Sequence, residues 1–538
     1  MELIKKNINT EKIKSKALLQ MPMEEDINIS DTKPDVSQII YSAGDVRIEE
    51  IKVGMNKIWV KGQLCYQILY QTDASEHNQE NASQKMEYAN MEGGIPFMEE
   101  IYLDKIEGQD RIICSTVLED MRVHIINSRK FSIQAVVSFE PRIEEISIDE
   151  VCTDLGDVAD GAESNRFEYR KKNMDYLETF IKKRDLLRIH EEAKLPIGMP
   201  QIGKLLWKSM DISNVSFKAL DNNLMFSGEI NLFIIYEEES KSANNGESNM
   251  NWYEVNLPFS GNIECQNARE SMIADVQYVI GHEDIGVRDD ADGEARIISV
   301  ESTLELEIKL CKKENTSIVA DVYGVSCDVQ TFTQEKEFKN LLADLAVEEK
   351  INKNIMIESN EPKILQICHS NAKVEVEDVV FVDDAIKISG NIIYGALYTS
   401  GDVVNGFFPI KESIPFEVIR PVNEAVGKEI DQYSLNAQVS QPIVSIKDGS
   451  QIEVRMTLSV SLLVYETTKE EILTDIKIEP INPQILEKLP GFVIYFVNKG
   501  DSLWQIGKKY YVSVDRIKEI NNLTSDEIRP GDRLLIVK

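Results

Sequence analysis

Three short segments hold residue types that could do chemistry, and their spacing decides against each. Asp289-Asp290-Ala291-Asp292-Gly293 has the carboxylate density of a calcium loop, where oxygens at alternate positions wrap a hard cation around a glycine turn. Counting back from Gly293 puts Arg288 at the first ligand position, and Ser299 stands where the closing glutamate belongs, so a hairpin turn is expected instead. His190-Glu191-Glu192 opens like a metalloprotease helix, but the second histidine four positions on is missing and Lys194 stands there. It reads as a solvated charge cluster. Cys368-His369 sets a thiol beside an imidazole, yet strand neighbours point to opposite faces and cannot form a nucleophile pair, so a core cysteine is expected. No Gly-x-x-x-x-Gly-Lys-Ser/Thr loop is present to hold nucleotide phosphates, and the histidines at 77, 124, 190, 282 and 369 each stand in a different setting. The sequence predicts no enzyme, no metal site and no cofactor.

The elements around these segments belong to a long acidic chain. At about 150 residues per domain, 538 residues predict three or four domains. Fifty-nine Lys and Arg against 92 Asp and Glu give a net charge of −33, which argues against nucleic acid and anionic membranes as partners, since both need clustered cations. The richest apolar run, Leu458 to Tyr465, is far short of the ~18 residues of a membrane-spanning helix. The N-terminal stretch from Met1 to Asn9 is too polar for the apolar centre of a secretory signal, so the chain is expected to stay in the cytoplasm. Seven scattered cysteines without a Cys-x-x-Cys pair fit buried thiols in a reducing compartment.

One frame occurs three times. Pro34, Pro200 and Pro362 each lead an apolar run; 28 residues later stand Gly62, Gly228 and Gly390, and eight beyond those Tyr70, Tyr236 and Tyr398. The segments between glycine and tyrosine are rich in β-branched and aromatic residues and read as strands. Ile95-Pro96-Phe97, Leu257-Pro258-Phe259 and Ile414-Pro415-Phe416 open the next strand of each copy. From tyrosine to that proline the chain advances 26, 22 and 17 positions through polar text, including Gln71 to Asn90 and Glu237 to Asn251, which marks surface loops. Hairpins are then predicted around Asn127-Ser128-Arg129-Lys130, Asp292-Gly293 and Asp448-Gly449. The recurring tyrosines are expected to pack in a core or at a sheet edge.

The predicted fold is mainly β: three tandem antiparallel β-sandwich or barrel-like repeats over 1–148, 175–318 and 330–478, then a small βααβ unit over 491–538. The connections, an acidic stretch from Ser147 to Thr179 and a tract from Lys312 to Ala343 that looks partly helical, suit domains packed in a row. Prolines 480, 483 and 490 separate the last unit.

That unit runs from the strand Phe492 to Phe496 through a turn into a helix capped by Ser502 or Asp501, with Leu503, Ile506, Gly507 and Tyr510 at helical spacing. A second short helix from Val514 to Ile520 has Ser513 as its cap, and Arg529-Pro530-Gly531 turns into a final strand. Between Gly491 and Lys538 stand eight cations and six anions, so this unit is +2 and the remainder −35. Such a unit suits docking to an acidic protein, although small domains vary by this much without meaning. Trp504 reads either as packing partly beneath its domain or as an interface anchor.

The repeated frame resembles the SPOCS domain of spore coat proteins from endospore-forming bacteria. The final unit looks like a LysM domain, with mild departures such as Gly507 where a small alanine is usual. LysM domains generally bind N-acetylglucosamine-containing glycans between two turns, which in this sequence are Gly500 to Leu503 and Leu523 to Pro530. The resemblance thus implies a binding site of Gly500, Asp501, Ser502, Leu503, Trp504, Leu523, Ile528, Arg529 and Pro530. The combination resembles the SipL-type family of spore coat morphogenetic proteins. That implies a scaffold in the mother-cell cytoplasm at the forespore surface, whose LysM domain binds the polymerising coat ATPase SpoIVA, with other spore coat proteins as further partners. The rival expectation is a peptidoglycan-binding protein of the cell wall or cortex.

Overall fold

The computed structural model describes residues 2–72, 86–107, 110–156, 167–239, 249–359, 361–382, 384–401, 406–423, 430, 432–482 and 491–537. Most of the polar loops predicted after Tyr70 and Tyr236, His77, the centre of the acidic connection, Pro483 and Pro490 lie outside the described residues.

The first repeat runs β1 (Glu2–Lys16), β2 (Leu19–Asn28), β3 (Val36–Gly54), β4 (Lys57–Thr72), β5 (Tyr88–Tyr102), β6 (Ile112–Asn127) and β7 (Lys130–Gly156). The second comprises β8 (Phe167–Lys194), β9 (Ile202–Leu220), β10 (Asn223–Glu238), β11 (Met250–Glu264), β12 (Ile273–Asp289) and β13 (Ala295–Gly324). The third comprises β14 (Asp328–Met356), β15 (Ile364–Val382), β16 (Ala385–Ser400), β17 (Phe407–Pro421), β18 (Gln432–Val439), β19 (Ile443–Asp448) and β20 (Gln451–Glu479). In each repeat three strands form an antiparallel meander, β3-β4-β5, β9-β10-β11 or β15-β16-β17. A second antiparallel sheet centres on the long last strand, flanked on one side by the opening strand and on the other by the hairpin strand. The two sheets close on alternating side chains, such as Leu64, Ile68 and Tyr70 of β4 against Phe131, Ile133, Val137 and Phe139 of β7. The predicted hairpins at Asn127–Lys130, Asp292-Gly293 and Asp448-Gly449 are all present.

The constant spacing of the frame has a physical cause. Tyr70, Tyr236 and Tyr398 each donate a hydroxyl hydrogen bond to the carbonyl of the proline 36 residues earlier, at 3.2, 3.0 and 3.0 Å. The recurring glycine and phenylalanine are cross-strand partners, Gly62 with Phe97, Gly228 with Phe259 and Gly390 with Phe416. Opposite each glycine, the preceding strand carries a bulge. A Cβ at Gly390 would lie 2.1 Å from the Glu375 carbonyl oxygen, and one at Gly228 2.5 Å from the Phe259 ring, so no other residue fits without displacement.

The repeats are not packed in a row. Ile40 and Leu69 of the first, Leu206, Trp207, Phe233 and Ile235 of the second, and Cys368, Leu397 and Phe407 of the third share one buried cluster. A second junction is built by three two-stranded ribbons, one per repeat, in which β1 pairs with the end of β7, the start of β8 with the end of β13, and the start of β14 with the end of β20. Ile8, Val151, Met174, Tyr176, Ile318, Phe338 and Ile472 from all three ribbons form its dry interior.

These ribbons overturn the partly helical reading of Lys312 to Ala343, which is the end of β13, a turn and the start of β14. Ladder partners more than a hundred residues away outweigh local helix propensity there. The ribbons also carry the repeats beyond their expected ends, to Gly156 and Gly324.

Charge fixes the junction between the first two repeats. Lys309 Nζ stands 2.7 Å from Glu144 and 3.3 Å from Glu11, and Lys182 Nζ 2.8 Å from Glu144. Burial alone would raise the Glu144 carboxyl, but Lys309 and Lys182 hold it well below the usual carboxylate range.

Gly390→Ala should lower stability by about 1–3 kcal/mol, the usual cost of forcing atoms into a packed site. Gly198→Ala, with nothing within 4 Å of the new carbon, serves as the control. Urea unfolding with equal midpoints for the two variants would contradict this account of the frame.

Candidate functional site on the C-terminal unit

The last unit is β21 (Phe492–Phe496), α1 (Leu503–Tyr510), α2 (Val514–Asn521) and β22 (Arg533–Val537), closed around Val497, Leu503, Ile506, Val512, Ile517, Leu534 and Ile536. Ser502 caps α1 with a reciprocal box: its Oγ accepts from Gln505 N at 3.2 Å, and its own N–H donates to Gln505 Oε1 at 3.2 Å. Ser513 caps α2. The backbone bonds Gly531 N to Val497 O at 2.8 Å and Val497 N to Asp532 O at 2.9 Å hold the turn before α1 next to the turn before β22.

The nine residues expected to bind stand in different surroundings. Gly500, at φ +96, Arg529 and Pro530 are exposed at the adjoining turns. Leu503 is buried in the core, and Leu523 and Ile528 pack against it half-buried. Ser502 is engaged as a cap. Asp501 folds back over its own turn, its Oδ2 accepting from Asn498 N and the Tyr495 hydroxyl, both at 2.8 Å. The Asn498 N–H and then that hydroxyl hold the Asp501 carboxyl below its ordinary range.

Trp504 points away from these turns, onto the tip of the second repeat's ribbon. Its indole N–H donates to Asp321 Oδ2 at 2.8 Å, and its ring meets Tyr323 edge-on at 4.8 Å between centroids, with the Arg170 guanidinium 5.5 Å from it. Lys508 takes the other Asp321 oxygen at 2.7 Å, and the Tyr323 hydroxyl donates to the Val512 carbonyl at 2.9 Å. Burial pushes the Asp321 carboxyl up, but Lys508 and the indole N–H outweigh it and leave it below the ordinary value.

A further surface, with none of those nine residues on it, is the outer face of the β21–β22 sheet. Phe492, Ile494 and Phe496 alternate along β21 and are 67%, 59% and 56% exposed, while Val493 and Tyr495 between them face the core. Across the sheet stand Leu535 and Arg533, whose guanidinium lies 5.4 Å from the Phe496 ring. A two-stranded sheet normally turns a polar face to water, so this apolar outer face is a candidate docking surface. The signal was legible in Phe492-Val493-Ile494-Tyr495-Phe496, which lacks polar alternation.

The other candidate segments are structural. Asp290 closes the β12–β13 turn, accepting from Asp292 N at 3.0 Å, and Gly293 takes φ +75. His190 is exposed beside Glu301, Glu192 and Arg288. Cys368 is buried, which drives its thiol up to about 12. His369 is buried too, because a bulge breaks the strand alternation; its Nδ1 lies 2.7 Å from Glu254 and its ring stacks on Phe233 at 4.2 Å. Among the described residues, no three His, Cys, Asp or Glu side chains converge to hold a metal ion.

Comparison with known proteins agrees with this division. The family described as SipL, SPOCS domain matches residues 35–126, 201–288 and 363–447, and the LysM domain family matches 495–537. The N-acetylmuramoyl-L-alanine amidase sle1 of Staphylococcus saprophyticus is 50% identical over 42 residues, which span 8% of this chain and 13% of the amidase. The uncharacterized protein YkzQ of Bacillus subtilis is 35% identical over 54 residues, 10% of this chain and 72% of YkzQ. No solved structure matches.

Asp501 is expected to act through its turn. Asp501→Asn should lower the thermal stability of the C-terminal unit while leaving the repeats unchanged. Because the folded carboxyl is depressed, its stabilisation is present above the unfolded value of about 3.9 and is lost as pH falls through the folded pKa. Unfolding curves should therefore differ at neutral pH and converge once the pH has fallen through the depressed folded value; a difference that persists in acid would remove Asp501 from this role.

Proposed function

Since this chain is a SipL-type protein, three SPOCS domains followed by a C-terminal LysM domain, we propose that it is a non-enzymatic adaptor of spore coat assembly, whose LysM domain binds a SpoIVA-type coat ATPase and whose repeats help to localise and encase coat around the forespore. It works in the mother-cell cytoplasm at the forespore surface. Both recognised domain types are binding modules of a sporulation-related protein, and the protein's task is to hold partners.

The observation that carries this reading is the apolar outer face of β21 and β22. Protein interfaces concentrate aromatic and Arg anchors in a desolvated centre, and Phe492, Phe496 and Arg533 supply those types on one small sheet. The +2 charge of the unit beside a −35 remainder favours an acidic partner surface approaching it rather than the repeats. The joined repeats give this face a firm mount, with further surface for other coat proteins.

A second reading, binding of an N-acetylglucosamine-containing glycan, has its support in the adjoining turns at Gly500 and Arg529–Pro530 and in the likeness to a muramoyl amidase. The two readings use different surfaces. Ile494→Asp with Phe496→Asp should weaken binding of the full chain to the ATPase by roughly 30-fold or more, since one lost anchor costs about 2 kcal/mol or more. Its sedimentation with peptidoglycan should not change. Deleting residues 491–538 should abolish both ATPase binding and forespore localisation. Intact binding after deletion would overturn the adaptor reading, and peptidoglycan binding without ATPase binding would favour the glycan.

A further inference from the structure

The contact at the ribbon tip defines a ligand chemistry. Both oxygens of the Asp321 carboxylate are used, one by the Trp504 indole N–H at 2.8 Å and one by the Lys508 ammonium at 2.7 Å. An amide offers only one acceptor oxygen and no charge. The Tyr323 ring packs edge-on against Trp504, and its hydroxyl donates to the Val512 carbonyl at 2.9 Å, which a phenylalanine would leave unfilled. Two residues apart on β13, Asp321 and Tyr323 share one face of an extended strand, while Val322 between them is buried in the junction of the repeats. Gly507 completes the shape: a Cβ there would stand 2.6 Å from the Tyr323 hydroxyl oxygen.

We propose that the LysM face made by Trp504, Lys508 and the Val512 carbonyl is a recognition site for an extended Asp-X-Tyr peptide segment. Asp321-Val322-Tyr323 fills it in cis, and a protein partner presenting the same chemistry must displace that segment. This rests on the reading of the LysM domain as the partner-binding unit and adds a second, gated contact to the free sheet face. Covalent connection gives the cis segment an effective concentration on the order of millimolar, so even modest intrinsic affinity keeps the site filled. The same arithmetic sets the masking that a competitor must overcome.

The test uses the full chain and a fluorescently labelled peptide spanning Ile318–Ser326, followed by anisotropy. Asp321→Ala with Tyr323→Phe should bind the peptide at least tenfold more tightly than the unaltered chain. Adding Trp504→Ala, or Lys508→Glu on the helix surface, should remove that binding while hydrogen exchange shows the LysM core intact. A peptide with Asn and Phe in place of the Asp and Tyr should not bind. Equal affinity of the two chains, binding that survives both the Trp504 and Lys508 changes, or no binding to the unlatched chain would each overturn the proposal. A parallel arm with the SpoIVA-type ATPase separates this site from the functional reading. Peptide binding without ATPase binding sinks that reading and leaves the site standing, whereas tenfold tighter ATPase binding to the unlatched chain supports both.

Discussion

Ten buried side chains contributed by three repeats have no dry place to go unless all three repeats are present, and much of the structure follows from that constraint. Leu69, Ile235 and Leu397 each stand one position before the frame tyrosine; Ile40, Leu206 and Cys368 each stand six after the frame proline. Strand alternation sends the tyrosine into its own sandwich and its neighbour toward the other repeats. Each meander is therefore covered on both faces at this point, which explains unbroken apolar runs such as Phe233-Ile234-Ile235-Tyr236. A repeat alone would leave that second face wet, so the three copies are one cooperative assembly rather than independent beads.

A chain of net charge −33 must also hold like-charged repeats together. The solution at the ribbons is to bury the minority charge. Lys309 and Lys182 sit between Glu11 and Glu144, and Lys336 reaches Asp149 across from another repeat at 3.2 Å. Buried pairs of this type add little net stability over apolar packing, but removing one partner strands the other, so they discriminate strongly against misregistered assembly. Apolar clusters supply the attraction, and a ribbon shifted out of register would strand the Glu144 carboxylate without Lys309 and Lys182.

The repeat frame, the meanders and the hairpins were legible because their signals are local: a proline, a glycine and a tyrosine at fixed intervals, and turn residues between alternating runs. The hydrogen bond from Tyr236 to Pro200 and the pairing of Gly228 with Phe259 supply the reason that those intervals are fixed. The mutual packing of the repeats was not legible, since an apolar strand face does not say what covers it. The tract from Lys312 to Ala343 misled because its partners, such as Tyr465 opposite Leu341, lie more than a hundred residues away in sequence. At the C-terminal unit, the caps on Ser502 and Ser513 and the core stripe could be read directly. The docking of Trp504 could not, because Asp321 and Tyr323 carry no signal of their own within an ordinary strand.

Gly507 joins these levels. A glycine inside a helix costs roughly 1 kcal/mol relative to alanine, and the LysM resemblance makes a small alanine the usual residue at this place. An alanine carbon would meet the Tyr323 hydroxyl oxygen at 2.6 Å and the Val512 carbonyl at 2.7 Å. The helix then ends at Tyr510, and its cap Tyr511 lies in the left-handed region at φ +58, a conformation uncommon for an aromatic residue. That sharp stop turns the Val512 carbonyl toward Tyr323. Two locally unfavourable choices thus open one pocket, and the contact they permit is made with a different domain of the same chain. Local rules are broken here where a longer-range contact returns the stability, so the departure from the LysM pattern reflects the second repeat's ribbon beside it.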